Sequence, residues 1–97
     1  MYKVLLQSKA KEELQQAISY YAELDVTGLA EKFIQSFEDT LSALEVNPHF
    51  QIKHLPYRAC KMKKFPYILF FRVVEELKLV AVESIFHTSQ NPDKYPQ

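Results

Sequence analysis

Phe65-Pro66-Tyr67-Ile68-Leu69-Phe70-Phe71-Arg72-Val73-Val74-Glu75-Glu76-Leu77-Lys78-Leu79-Val80-Ala81-Val82-Glu83-Ser84-Ile85-Phe86-His87 is the stretch that decides the fold. Phe65-Pro66-Tyr67 punctuates the chain, because proline fixes its own φ and removes a backbone donor. Ile68–Val74 is nearly all apolar, which predicts a central strand covered on both faces. Glu75-Glu76 predicts a tight polar connection, and Leu77–Phe86 a last strand that closes a hairpin with the one before.

Upstream, Arg58–Lys64 alternates. Arg58, Cys60 and Met62 are expected on one face and Ala59, Lys61 and Lys63 on the other, since successive strand side chains point to opposite sides. Before Pro48 the period changes to that of a helix. Ala30, Phe33, Ile34, Phe37, Leu41 and Leu44 form one apolar stripe. That helix should stop near Asn47, because a proline disfavours helical geometry in the residue before it.

Ala10, Leu14, Ala17, Ile18 and Tyr21 predict an earlier helix over roughly residues 9–24. Ser8 and Thr27 are the candidate N-caps, whose hydroxyls can accept from an orphan helix N–H. Tyr2–Gln7 reads as an opening strand. The order is β-α-α-β-β-β, an α+β fold: an N-terminal strand, an α-helical hairpin and a three-stranded antiparallel meander. The helices should pack on one face of a small antiparallel sheet, leaving the other open or covered by a partner.

The chain has 97 residues, expected to form a single domain (1–97). At this size folding buries roughly two thirds of the unfolded surface, enough for one modest core. No apolar run approaches the ~20 residues of a membrane span. The opening residues turn polar too quickly for a signal peptide. With one cysteine, Cys60, no internal disulfide is available, and the cytoplasm is the expected compartment.

Charge is balanced overall but not along the chain. Lys+Arg and Asp+Glu each number 12. Residues 1–50 hold four basic and eight acidic side chains, and residues 51–97 the reverse. From Glu45 to Glu75 there is no intervening acid, and six cations: Lys53, Arg58, Lys61, Lys63, Lys64 and Arg72. Zero net charge predicts no general nucleic-acid affinity, while the local run permits an anion-binding face. Its other reading is a solvated basic strand pair.

The single Gly28 excludes a Gly-rich phosphate loop, and there is no nucleophile elbow or metal-ligand spacing. No cofactor and no metal is expected. His49 and His54, five apart, are too little for a metal site. Cys60 reads as core, and Glu12-Glu13 and Glu75-Glu76 as solvated surface. Arg72 interrupts an apolar strand, where a charge needs a partner or an open face. It has two readings: an ion pair with Glu83 across the hairpin, or a fork for phosphate. His87, at a strand end, is either a satisfied edge residue or a general acid/base.

The chain resembles the RelE/ParE superfamily of type II toxin–antitoxin toxins across nearly its whole length. The resemblance is carried by Tyr2-Lys-Val with Ser8-x-Ala10-x-x-Glu13-Leu14, Ala17-Ile-x-Tyr20-Tyr21, Ala30-Glu-Lys-Phe33 and Leu44-x-x-Asn47-Pro48. It continues through Phe65-Pro66-Tyr67-x-Leu-Phe-Phe-Arg72-Val73 and Val80-Ala-Val-x-x-Ile-Phe86-His87-Thr88-x-x-Asn91-Pro92-x-Lys-Tyr95. It implies a growth inhibitor held inactive by a cognate antitoxin, with gyrase or the ribosome and its mRNA as the target.

For the ribosome-dependent mRNA endonuclease branch, a metal-independent chemistry, the resemblance implies Arg72, His87 and Tyr95 as catalytic candidates. It implies Arg58, Lys61, Lys63 and Lys64 as the residues that bind nucleic acid or target. Many nuclease relatives carry arginine just after the histidine, where this chain has Ser89 and Gln90. Many also open the basic strand with paired arginines, where Ala59 follows Arg58. The helical hairpin and the Phe-Pro-Tyr form resemble the ParE side. A nontoxic relative acting only as a binding module is the third expectation.

Overall fold

The computed structural model describes residues 1–24, 26–49, 52–54 and 57–89. Among them run β1 (Lys3–Leu6), α1 (Ser8–Glu23), α2 (Leu29–Val46), β2 (Ile52–His54), β3 (Tyr57–Lys61), β4 (Tyr67–Val74) and β5 (Leu79–His87). A 3-10 turn, Glu75–Leu77, joins β4 to β5. The strand order is β1-β5-β4-β3-β2. The α+β class and the β3-β4-β5 antiparallel meander are as the sequence predicts. The sheet is mixed rather than all antiparallel, because β1 joins β5 in parallel, from Lys3 beside Leu79 to Leu6 beside Val82. The helical hairpin between β1 and the meander supplies the crossover that parallel pairing requires.

Neither predicted cap holds. β1 runs on until Gln7, whose N–H donates to Val82 O at 2.9 Å, and the Gln7 carbonyl closes the first turn of α1 through Lys11 N. Ser8 is therefore already helical and Gln7, extended, is the cap residue without a side-chain bond. At α2 the cap position falls on Gly28 at φ 77°, ψ 0°. Leu29 N donates to Val26 O at 3.1 Å. This is the third position of a type II turn, which demands positive φ and so glycine. The end of α2 at Val46, with Asn47 as its C-cap, matches the reading from Pro48.

The core lies between the hairpin and one sheet face. α1 contributes Ala10, Ala17 and Tyr21, and α2 contributes Phe33, Phe37 and Leu44. Ile34 sits at the margin of the stripe, 36% exposed. From the sheet come Tyr67, Leu69, Phe71, Val80, Val82 and Ile85. Tyr21, Phe33, Phe65 and Tyr67 form an aromatic box with centroids 5.1 to 6.4 Å apart, mostly edge-on, the geometry favoured by ring quadrupoles. Phe65-Pro66-Tyr67 is thus a core anchor.

The face away from the helices is not open at its centre. Alternation puts Phe70 and Phe86 there, yet they are 0% and 2% exposed and pack edge-on at 6.1 Å. Lys3, Leu5, Lys61 and Arg72 stay exposed around them. A β-bulge marks this part of the hairpin. Pairing steps from Phe70 opposite Ser84 to Phe71 opposite Val82, leaving Glu83 as the extra residue.

Two acids expected as solvated surface are engaged. Glu13 Oε1 accepts from Ile85 N at 2.8 Å and from the Ser84 hydroxyl at 3.0 Å. It satisfies β5 just beyond the last residue paired with β1. Glu75 accepts from the Tyr2 hydroxyl at 3.0 and 3.1 Å. His49 Nε2 lies 3.3 Å from the same carboxylate, and Lys78 Nζ lies 3.8 Å from it and 5.0 Å from the Tyr2 ring centroid. This cluster pins the N-terminus to the β4–β5 turn.

Candidate functional site

β3 alternates as predicted beyond its first residues. Cys60 and Met62 are buried and Lys61 and Lys63 exposed. After Lys61 the chain turns. Met62 N donates to Tyr67 O at 2.9 Å, Tyr67 N donates to Phe65 O at 2.9 Å, and Lys64 takes a left-handed φ of 69°. This turn lies against α2, where the Ser36 hydroxyl donates to Lys63 O at 2.7 Å. A groove of about 960 Å³ results, between α2 and the β3–β4 segment.

Its walls carry Leu29, Ala43, Cys60 and Phe65, and its rim Lys32, Lys61, Lys63 and Lys64. Asp39, also at the rim, accepts from Gln35 Nε2 at 2.9 Å. The structure therefore gathers three of the four predicted binding cations. It adds Lys32, whose only sequence signal is its place off the apolar stripe of α2. Arg58 is separate, half-buried opposite Phe71 and on the Cys60 side of the strand. Burial pushes the Cys60 thiol up, leaving it neutral and poorly nucleophilic.

Arg72 takes the first of its two readings. Its Nη2 lies 2.9 Å and its Nε 3.0 Å from Glu83 Oε2. The bulge supplies this partner by leaving Glu83 beside the hairpin instead of in the ladder. His87 is half-buried, its ring edge-on to Tyr67 at 5.0 Å. Ser89 N donates to His87 Nδ1 at 3.0 Å, and the Ser89 hydroxyl lies 2.6 Å from the same nitrogen. With Nδ1 accepting from a backbone N–H, the neutral ring carries its proton on Nε2.

Tyr67, beside His87, is pushed up to about 12, first by burial and then by the adjacent Tyr21, to which it hydrogen-bonds. A phenol so disposed stays protonated and is a poor base. Arg72 and His87 do not converge. His87 pairs with core-facing Tyr67, whereas Arg72 pairs with Ala81 on the other face. They are five ladder positions apart, about 17 Å at the rise of a strand. Tyr95 lies outside the described residues. Among the described residues no group of three or more His, Cys, Asp or Glu is placed to hold a metal, and no helix is long and apolar enough to cross a membrane.

With this geometry in place, comparison with known proteins identifies the family. Residues 4–92 match the ParE toxin of the type II toxin–antitoxin system parDE, and the chain belongs to that family of toxins. No curated protein matches it at a significant level. Among solved structures it is similar to one of the chromosomal ParDE system of P. aeruginosa, with TM-score 0.74 and 21% identity over 90% of this chain and 96% of that one. The isolated E. coli RelE toxin gives 0.65 and 15%, over 96% and 90% of the two chains. A chain of the intact E. coli RelBE toxin–antitoxin complex gives 0.65 and 16%, over 94% and 100%. At these identities the structural likeness speaks for the fold.

Proposed function

We propose that this ParE-family toxin arrests growth by binding a protein target, gyrase, in the cytoplasm, and that a cognate antitoxin neutralises it. Lys61, Lys63 and Lys64 form the binding surface. The observation that carries this reading over RNA cleavage is the separation of Arg72 and His87 onto opposite sheet faces. Cleavage of a phosphodiester needs its proton-transfer and charge-stabilising groups within contact of one phosphate. Arg72 is already held by Glu83. Binding needs neither convergence nor a perturbed acid, only a shaped surface and complementary charge.

The test is a supercoiling assay with purified protein. Gyrase inhibition by the wild-type chain, retained in Arg72→Ala and lost when Lys61 and Lys63 become glutamate, is the expected result. Unaltered supercoiling, together with ribosome-dependent transcript cleavage that Arg72→Ala or His87→Ala abolishes, would overturn it in favour of the nuclease.

A further inference from the structure

We propose that Lys32, Lys61, Lys63 and Lys64 hold the phosphate backbone of duplex DNA, so that the toxin engages gyrase on its DNA more tightly than gyrase alone. This inference rests on gyrase as the target and adds a nucleic-acid partner to it. Three observations select the phosphate backbone. The first is charge without compensation. The four lysines come together from α2 and the β3–β4 segment, and none of them is ion-paired among the described residues. The one acid beside them, Asp39, accepts from Gln35 Nε2 at 2.9 Å. The chain as a whole carries no net charge, so the attraction for a polyanion is confined to this patch.

The second observation is residue type. The cores of protein–protein interfaces are depleted in lysine and anchored by arginine and exposed aromatic rings. This patch has no arginine, and its one ring, Phe65, is 9% exposed because it packs on Tyr21 and Phe33. Lysine is a hydrated point charge on a flexible stem, suited to phosphate oxygens in a row. Without an exposed ring there is no platform on which unpaired bases stack, which favours a duplex over a single strand. Contacts to phosphate alone carry no sequence information. The third observation is a fixed mount. The Ser36–Lys63 hydrogen bond ties the turn to α2, and Lys64 is held at a φ of 69°. Glycine would relax there, and a non-glycine residue kept in such a conformation is strain of the kind that gathers at functional surfaces.

The experiment uses the full chain, a fluorescent duplex and purified gyrase. Fluorescence anisotropy should show weak duplex binding that is the same for two unrelated sequences. Four lysines on phosphates predict that log affinity falls against log salt with a slope of about −3 to −4. Each Lys→Gln change at 61, 63 or 64 should reduce that slope by about one. Lys11→Gln, on the exposed face of α1, should leave it unchanged, and all variants should keep the wild-type melting temperature. Gyrase carrying DNA should bind the toxin at least tenfold more tightly than gyrase alone, and the triple Lys→Gln variant should lose that gain. Inhibited supercoiling without duplex binding, and with equal affinity for gyrase with and without DNA, would overturn the DNA contact and leave the gyrase reading standing. Loss of binding to DNA-free gyrase in the triple variant would assign the lysines to the protein surface and overturn the DNA contact. Preference for the single strand over the duplex would overturn it as well. Unaltered supercoiling would overturn the gyrase reading and this inference with it.

Discussion

Glu13 replaces a missing strand for Ile85: its carboxylate accepts the Ile85 backbone N–H at 2.8 Å, where β1 no longer runs beside β5. The Ser84 hydroxyl joins it at 3.0 Å, and Ser84 is 1% exposed. A buried edge N–H left without an acceptor is costly, so the side chain of α1 also fixes how the hairpin meets the sheet. Glu13→Ala should lower unfolding free energy by ~1–3 kcal/mol, the cost of leaving such a donor unsatisfied. Glu12→Ala, on an exposed neighbour, should change it by less than about 0.5 kcal/mol. Urea denaturation of the two variants separates these outcomes.

The Arg72–Glu83 pair is short but open to water, the two side chains being 47% and 21% exposed. Exposed pairs contribute about 1 kcal/mol or less. Glu83→Gln should therefore cost little stability, with an effect that shrinks further in high salt. Thermal melts at low and high salt check this. A loss of several kcal/mol would mean that the bulge itself depends on the pair.

Two positive-φ positions predict opposite signs. Gly28→Ala meets no atom within 4 Å of the added Cβ, but its φ of 77° is left-handed. The expected cost is ~1–2 kcal/mol of backbone strain. Lys64→Gly removes such strain and adds unfolded-state entropy of about 0.4–1 kcal/mol. Its expected net effect is neutral to stabilising by up to ~1 kcal/mol. Stability that holds or rises in Lys64→Gly while gyrase inhibition weakens would separate the folding and target-binding roles of this residue.

Stability should fall in alkali. Tyr67 has a folded-state pKa near 12 against 10.0 when unfolded, raised by burial first and Tyr21 second. Burial also raises the Cys60 thiol above 9.0. The fold holds these protons more tightly than the unfolded chain does. Their contribution is whole below the unfolded values and is lost as pH rises from about 9 to 12. Each pKa unit corresponds to about 1.4 kcal/mol. Tyr67→Phe should flatten the upper part of this decline, between about pH 10 and 12, as followed by urea midpoints.

Periodicity carried much of the fold because the core obeys it. The Phe33-Phe37-Leu44 stripe and the Tyr67–Val74 strand each have one dominant pattern. What escaped reading depends on contacts distant in sequence. The parallel docking of β1 on β5 joins residues more than seventy apart. The caps at Ser8 and Thr27 lost to a strand that continues into Gln7 and to a turn built on Gly28. Glu13 looked like surface because its acceptor role is set by the β5 edge. At the site, the strand pattern placed Lys61 and Lys63 together. Lys32 could be found only once α2 was laid beside β3, and the separation of Arg72 from His87 only once the register was known.

Growth of a bacterial host after tightly controlled induction of this chain alone tests the central claim most directly. The account predicts arrest, relieved when the adjacent reading frame is co-expressed. Normal growth with the folded chain abundant in the cell would contradict it.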